Sequence, residues 1–99
     1  MNIIISEENG ATIVGVVGRL DTVTAPELDK EVKPLIKLGA TVVFDCAKMD
    51  YVSSSGLRVV LSTHKQLAGV GGKFIVRNLN KEVRSVFELT GFNRLLNIE

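Results

Sequence analysis

The stretch DYVSSSGL, residues 50–57, places three consecutive hydroxyl side chains between an extended segment and an amphipathic helix. Upstream, Thr41–Asp45 is a β-branched and aromatic run that is typical of a buried strand. Downstream, mostly apolar residues recur at helical spacing, namely Leu57, Val60, Leu61, His64, Leu67 and Ala68. A serine before a helix more often caps it than holds a phosphate, although the unpaired N–H groups there favour both roles. Both interpretations of the three serines therefore stay open at this point.

The N-terminal part of the chain predicts a β-hairpin followed by a first helix. Ile3–Ile5 and Ile13–Val17 are strand-like runs on either side of an Asn-Gly turn signal at residues 9 and 10. Thr24 and Glu27 have the spacing of a capping box, which predicts Thr24 as the N-cap of the helix. The hairpin and the helix are therefore the first three predicted elements, in the order β-β-α.

Glycine, proline and asparagine residues predict where the later elements end and begin. Pro34 should kink the first helix or mark its last turn, and Gly39 should stop it. Lys73–Arg77 follows a glycine-rich turn and reads as a strand. Asn80 is the predicted N-cap of a third helix, and Gly91 is its predicted C′ residue. The apolar face of that helix comprises Val83, Val86 and Phe87, with Thr90 beside them.

The predicted order of elements is β-β-α-β-α-β-α, with residues 95–98 either adding a short edge strand or packing on the core. Strands that alternate with helices favour a mixed sheet whose later strands run parallel. We therefore expect an α/β fold in a single domain over residues 1–99, with four to five strands and three or more helices.

Composition excludes several classes of function. The formal net charge is +1, the basic residues are dispersed along the chain, and only five residues are aromatic. The sequence therefore lacks the concentrated basic patch that is typical of direct nucleic acid binding. Cys46 is the only cysteine, so a disulfide or a thiolate metal cluster within the chain is excluded, and a buried thiol is expected. The sequence shows no signal-peptide pattern and no stretch that approaches membrane-spanning length. We expect a cytoplasmic protein without membrane insertion.

No catalytic constellation is visible. His64 is the only histidine, and ten helical residues separate it from Ser54 by about 15 Å, too far to activate the hydroxyl. The residues around Gly72 do not fit a phosphate-binding loop, and the aspartates lack the spacing of a calcium loop. The sequence therefore predicts no enzyme, no catalytic residue, no metal and no cofactor.

Five short motifs, in register over nearly the whole chain, resemble the STAS domain of anti-sigma factor antagonists. Gly18–Asp21 is similar to the family's Gly-x-[Leu/Ile]-Asp, and Thr24–Leu28 opens the first helix in the same way. Ser54–Leu57 resembles the family's Ser-[Ser/Thr]-Gly-Leu before the central helix. Gly71-Gly72 leads into the next strand, and residues 89–92 are similar to a turn near the family's C-terminus.

The resemblance implies a switch protein that is phosphorylated on Ser54. Its implied partners are an anti-sigma factor serine kinase, which binds only the unphosphorylated form, and a serine phosphatase. The implied partner-binding residues are Asp21, Thr22, Ser53, Ser54, Ser55, Gly56, Leu57 and Arg58.

The chain departs from the family pattern at two positions beside Ser54. Ser53 stands where the family usually has aspartate, yet serine and aspartate rank alike as N-caps. Arg58 stands where a small residue is common, four residues beyond Ser54 and within reach of a phosphate there. An alternative function is a small STAS subunit of a membrane lipid-transport ATPase, which needs no phosphorylation. No feature of the sequence demands more than a monomer.

Overall fold

The computed structural model describes all 99 residues and shows a sheet with helices between its strands. Strand β1 (Asn2–Glu8) pairs antiparallel with β2 (Ala11–Leu20). The turn between them has positive φ at both Asn9 (52°) and Gly10 (82°), as a two-residue hairpin turn requires. The predicted hairpin is therefore confirmed.

The remaining strands run parallel to β2. The sheet order is β1-β2-β3-β5-β6, with β3 at Thr41–Asp45, β5 at Lys73–Arg77 and β6 at Asn97–Ile98. The C-terminal segment thus adds the edge strand that was one of its two predicted placements.

A sixth strand, β4 (Met49–Val52), exceeds the predicted four to five. It pairs parallel with the last residues of β2, which extend beyond β3. The register shifts at Gly18, whose φ of 98° suits glycine and whose N–H donates to the carbonyl of Lys48 over 2.8 Å. The segment has only four residues, and its two middle residues are exposed. Its sequence pattern was therefore too short to distinguish a strand from an extended loop.

Helix α1 (Ala25–Val32) ends earlier than its sequence suggests. Pro34 lies in a 3₁₀ turn at Lys33–Leu35, so the predicted last turn at the proline is confirmed. Gly39 does not stop the helix, because three residues separate it from Leu35 and its φ of 72° belongs to the following turn. Its N–H donates to the carbonyl of Val70 over 2.8 Å, which joins this turn to the end of the next helix.

The next two long helices are α2 (Ser54–Gly69) and α3 (Lys81–Leu89), and α3 has the N-cap and the C′ residue that the sequence predicts. Asn80 Oδ1 accepts the N–H of Val83 over 2.8 Å, and Gly91 has a φ of 78° at the C′ position. A short helix, α4 (Phe92–Leu95), comes next. The buried face of α2 is rotated slightly from the predicted stripe, because Thr63 is buried while His64 is half-buried and Ala68 is exposed.

The hydrophobic core lies between the sheet and the three longer helices. The sheet contributes alternate residues, including Val14, Val16, Phe44, Phe74 and Val76. The helices contribute Leu28, Val32, Leu57, Val60, Leu67, Val83 and Phe87. The fold class predicted from the sequence, a single α/β domain with a mixed sheet, is confirmed, and the core holds the ends of β2 and β4 in place beneath the start of α2.

Candidate functional site

The start of α2 rests directly on the last residue of β2. Ser53 donates its N–H to the carbonyl of Leu20 over 2.9 Å, at the junction of β4 and α2. A Cβ on Gly56 would lie 2.7 Å from Leu20 Cγ and 2.9 Å from the Leu20 carbonyl oxygen. Only glycine lets the helix approach the strand this closely, which is the physical reason for glycine two residues after Ser54.

The three consecutive serines occupy different environments. Ser53 has extended backbone angles, and its Oγ accepts the N–H of Gly56 over 3.3 Å, so it is the N-cap of α2. Ser55 is half-buried, with its Oγ 3.3 Å from Thr22 Oγ1. Ser54 is exposed, and its hydroxyl makes no hydrogen bond within the protein. Two of the hydroxyls thus have structural partners, while that of Ser54 is available to solvent.

The start of α1, next to this cluster, is capped by Asp21. Its Oδ1 accepts the N–H groups of Val23 and Thr24 over 3.0 and 3.1 Å, and its carbonyl accepts the N–H of Ala25 over 2.8 Å. The N–H of Thr24, followed by other hydrogen bonds and the charge of Arg19, lowers the pKa of the Asp21 carboxyl, although partial burial opposes this. The carboxylate is therefore held in its charged form.

The predicted N-cap position at Thr24 is confirmed, but the capping hydrogen bond predicted for its side chain is not formed. Thr24 already has helical backbone angles, and its side chain makes no capping hydrogen bond. Its Oγ1 instead donates to the carbonyl of Arg19 over 2.8 Å and accepts the N–H of Asp21 over 2.8 Å. The side chain of Asp21, three residues before Thr24, accepts the N–H groups of Val23 and Thr24 instead.

The electrostatic surroundings of Ser54 favour an anion. No acidic residue lies in the first turn of α2, so the partial positive charge of the helix start is not compensated by a side chain. Arg58 is exposed and forms no ion pair with any carboxylate of the chain, while nearby Asp29 is paired with Lys33 over 3.2 Å. A shallow depression between α1 and α2 is lined by Thr22, Asp29, Ser55 and Arg58 among others.

The structure brings the predicted partner-binding residues together but divides them into two groups. Thr22, from the turn after β2, contacts Ser55 at the start of α2, and Leu20, the residue before Asp21, accepts the N–H of Ser53. Gly56 and Leu57 are buried in the core, so they position the helix and do not form its outer surface. The accessible surface therefore consists of the turn, the serines and Arg58.

Three further residues at this surface were not identified from the sequence. Arg19 lies over the ring of Tyr51, with Cζ 4.2 Å from the ring centroid, and its Nε is 3.7 Å from Asp21 Oδ2. Val23 is 84% exposed although it is apolar. The pairing of β4 with β2 places Tyr51 opposite Arg19, so recognising β4 as a strand would have been the signal. We call Arg19, Asp21, Thr22, Val23, Tyr51, Ser54 and Arg58 the switch surface.

Two other chemically reactive side chains lie away from the switch surface. Cys46 is buried as predicted, and burial, together with the charge of Asp45, raises the pKa of its thiol to about 12. His64 is half-buried beside Lys73 and Leu95, at the opposite end of α2 from the serines. Neither side chain can act on the hydroxyl of Ser54.

No helix in the structure has the length and apolar character needed to cross a membrane.

Comparison with known proteins identifies relatives along the whole chain. The family model for the STAS domain matches residues 2–99. BtrV of Bordetella bronchiseptica, named as an anti-sigma factor antagonist, is 37% identical over 93 residues, which are 93% of this chain and 80% of BtrV. The anti-sigma-B factor antagonist of Bacillus subtilis is 26% identical over 98 residues, covering 99% of this chain and 90% of that protein.

Solved structures show the same fold. The anti-sigma factor antagonist SpoIIAA in its unphosphorylated form superposes with a TM-score of 0.82 at 21% identity, over 99% of this chain and 88% of SpoIIAA. Its phosphorylated form, from Bacillus, gives a TM-score of 0.74 at 20% identity, over 99% of this chain and 91% of SpoIIAA. At these identities the likeness concerns the fold alone.

Proposed function

The chain belongs to the STAS domain family, and we propose that it is an anti-sigma factor antagonist controlled by phosphorylation of Ser54. The unphosphorylated form binds an anti-sigma factor that is also a serine kinase, and the sigma factor is released. Phosphorylation of Ser54 by that kinase ends the interaction, and a serine phosphatase restores the binding form.

The observation that carries the proposal is the different use of the three adjacent serines. Ser53 caps α2 and Ser55 contacts Thr22, whereas Ser54 projects into solvent without a partner. A kinase needs an accessible hydroxyl whose modification does not disrupt the fold, and Ser54 alone meets that requirement. The relatives named as anti-sigma factor antagonists support the antagonist role.

The helix start explains why phosphorylation would change binding without unfolding the domain. A phosphoserine adds roughly −1.5 to −2 charges, and the uncompensated N-terminus of α2 is a favourable place for them. A partner docked there would have to desolvate the new dianion, which weakens an interface. A coupling of about 1–3 kcal/mol would lower the affinity roughly 5- to 150-fold.

The switch surface has the composition of a protein-binding site. Exposed Val23 and the stacked pair of Arg19 and Tyr51 stand beside the polar side chains of Asp21 and Thr22. Aromatic residues and arginine are enriched where interfaces gain most of their binding energy. In the proposed complex these residues contact the kinase together with Ser54, so that the charge of a phosphate on Ser54 lowers the affinity.

The test compares two variants as baits in cytosol from the source organism. Ser54→Ala should capture an ATP-binding serine kinase that mass spectrometry identifies, and Ser54→Asp should capture far less of it. In the same cytosol, labelled ATP should transfer phosphate to the wild-type protein and to the matched control Ser55→Ala, but not to Ser54→Ala.

Two results would contradict the proposal. Label that remains on Ser54→Ala would place the phosphorylation on another hydroxyl. Capture of membrane transport ATPase subunits, with equal yield from Ser54→Ala and Ser54→Asp, would instead support the lipid-transport subunit as the function.

A further inference from the structure

Strand β1 is an edge strand with an unusually apolar exposed surface. It terminates the sheet, and only its inner edge is paired, to β2. Its sequence is Asn2-Ile3-Ile4-Ile5-Ser6-Glu7-Glu8, and every residue except Ile3 is exposed. Ile4 is 59% exposed and Ile5 is 42% exposed, which are large values for isoleucine in a strand.

Most of the usual protections of an edge strand are missing from β1. Proteins commonly block such edges with charged side chains, especially lysine, with proline, with a bulge or with a covering segment. In β1 only Glu7 and Glu8, at its C-terminal end, are charged. The seven residues of β1 contain neither lysine nor proline, and their pairing with β2 runs from Asn2 to Glu8 without a register shift. The outer row of backbone N–H and C=O groups is therefore free to pair with another strand.

The side-chain pattern of β1 is complementary to itself. A two-fold axis perpendicular to the sheet keeps each side chain on its own face of the sheet. Two residues can therefore lie opposite each other only if both have even numbers or both have odd numbers. With Ile4 opposite Ile4, Ile3 faces Ile5 and Asn2 faces Ser6. Glu7 and Glu8 of the two strands then lie at opposite ends, so no carboxylate faces another or an isoleucine.

The alternative register, with Ile5 opposite Ile5, is less favourable. It would place Glu7 opposite Ile3 and Glu8 opposite Asn2. Glu8 is also already engaged within its own chain, because Arg77 Nη2 lies 3.7 Å from its Oε2. The register centred on Ile4 buries the two most exposed isoleucines of the strand and leaves that ion pair outside the contact.

We propose that β1 is a homodimer interface, formed by antiparallel pairing of two copies with Ile4 on the two-fold axis. The sheets of the two protomers then form one continuous sheet, and each copy retains its own switch surface, none of whose residues lies in β1. The proposal differs from the monomer expected from the sequence, and it does not depend on phosphorylation of Ser54. Its failure would leave the proposed function intact, and the reverse also holds.

A charge-swap experiment tests both the edge and the register. Sedimentation velocity of the full chain, from micromolar to millimolar concentration, should show a monomer–dimer equilibrium. Ile4→Lys and Ile4→Glu should each be monomeric, because each places like charges directly opposite one another. An equimolar mixture of the two variants should restore the dimer. Leu38→Lys is the matched control at a residue that is 91% exposed outside β1, and it should dimerise like the wild type.

Cysteine cross-linking measures the register independently. Directly opposite residues have Cα atoms about 4.5–5.5 Å apart, which suits a disulfide, so Ile4→Cys should form a covalent dimer on mild oxidation. Two Ile5→Cys residues would be offset by two positions and about 8 Å apart, too far to bridge. Cys46 is buried and will not compete.

Four outcomes would overturn the proposal. A wild-type monomer at every concentration would exclude the dimer, and a dimer that persists in Ile4→Lys would move it to another surface. A mixture of Ile4→Lys and Ile4→Glu that stays monomeric, or preferential cross-linking of Ile5→Cys, would contradict the register centred on Ile4. Circular dichroism of each variant shows whether the fold is retained, as expected for substitutions at exposed positions.

Discussion

The starts of α1 and α2 lie side by side at the end of β2, yet they are built differently. Asp21 caps α1 with its carboxylate and its carbonyl, in a network that also includes Thr24 and Arg19. Ser53 caps α2 with a single side-chain hydrogen bond of 3.3 Å and no charge. The first helix start is electrostatically complete, whereas the second can accept an anion. The comparison suggests a fixed support on one side and a modifiable site on the other.

The largest expected effect comes from separating the two helix starts. Gly56→Ala places a Cβ against Leu20, the residue before Asp21, and should lower the free energy of unfolding by about 1–3 kcal/mol. Gly69→Ala is the matched control on the same helix, because no atom lies within 4 Å of its added Cβ, and it should gain up to about 1 kcal/mol. Urea denaturation measures both. Equal stability of the two variants would show that the close contact at Leu20 is not limiting.

A smaller effect is expected from removing the carboxylate that completes α1. Asp21→Ala should lower the urea midpoint, because two N–H groups lose their acceptor, while Asp21→Asn should retain most of the cap. Since the pKa of Asp21 is lowered in the folded state, its charged form stabilises the protein above the ordinary value of 3.8.

This contribution is lost as the pH falls through the lowered pKa, so the wild type should lose its advantage over Asp21→Asn in acid. Urea midpoints of the two proteins across the acidic range provide the measurement. An advantage that stays constant down to the lowest pH would show that the charge of Asp21 has no part in it.

Making the start of α2 resemble that of α1 should have a modest effect. Ser53→Asp adds a carboxylate at the N-cap and should stabilise the protein by about 0.3–1 kcal/mol. Ser53→Asn caps equally well without charge and should match the wild type. Thermal unfolding at low ionic strength distinguishes them. A gain of the same size in Ser53→Asn would attribute the effect to hydrogen bonding and not to the helix dipole.

The smallest effect is expected at Arg58. Its unpaired guanidinium stands one turn beyond Ser54, and an exposed i,i+4 contact of this kind should slow dephosphorylation about twofold. Arg58→Ala should therefore shorten the lifetime of phosphorylated protein in the presence of a metal-dependent serine phosphatase. Lys65→Ala, an exposed cation further along α2, serves as the control. Unchanged lifetimes in both would show that Arg58 does not contact the phosphate.

Sequence signals between residues close in the chain predicted the structure better than signals that depend on distant segments. The hairpin turn, the cap at Asn80 and the turn at Gly91 involve residues close in the chain, and all three predictions are confirmed. At the start of α1 the N-cap position was predicted correctly at Thr24, but the capping side chain was not, because several polar residues compete for the free N–H groups. Backbone geometry at the end of β2, and not side-chain type, selected Asp21 over Thr24.

The sequence by itself determined the order of the elements, the serine cluster before a helix and the resemblance to STAS domains, because periodicity and short motifs are local properties. Only the tertiary structure decided which serine caps α2, why Gly56 must lack a side chain, and that Arg19 stacks on Tyr51. These depend on β4 pairing with the end of β2, a contact between segments about thirty residues apart. The tertiary structure also identified β1 as an edge strand, because the strand order of the sheet must be known before its edges can be named.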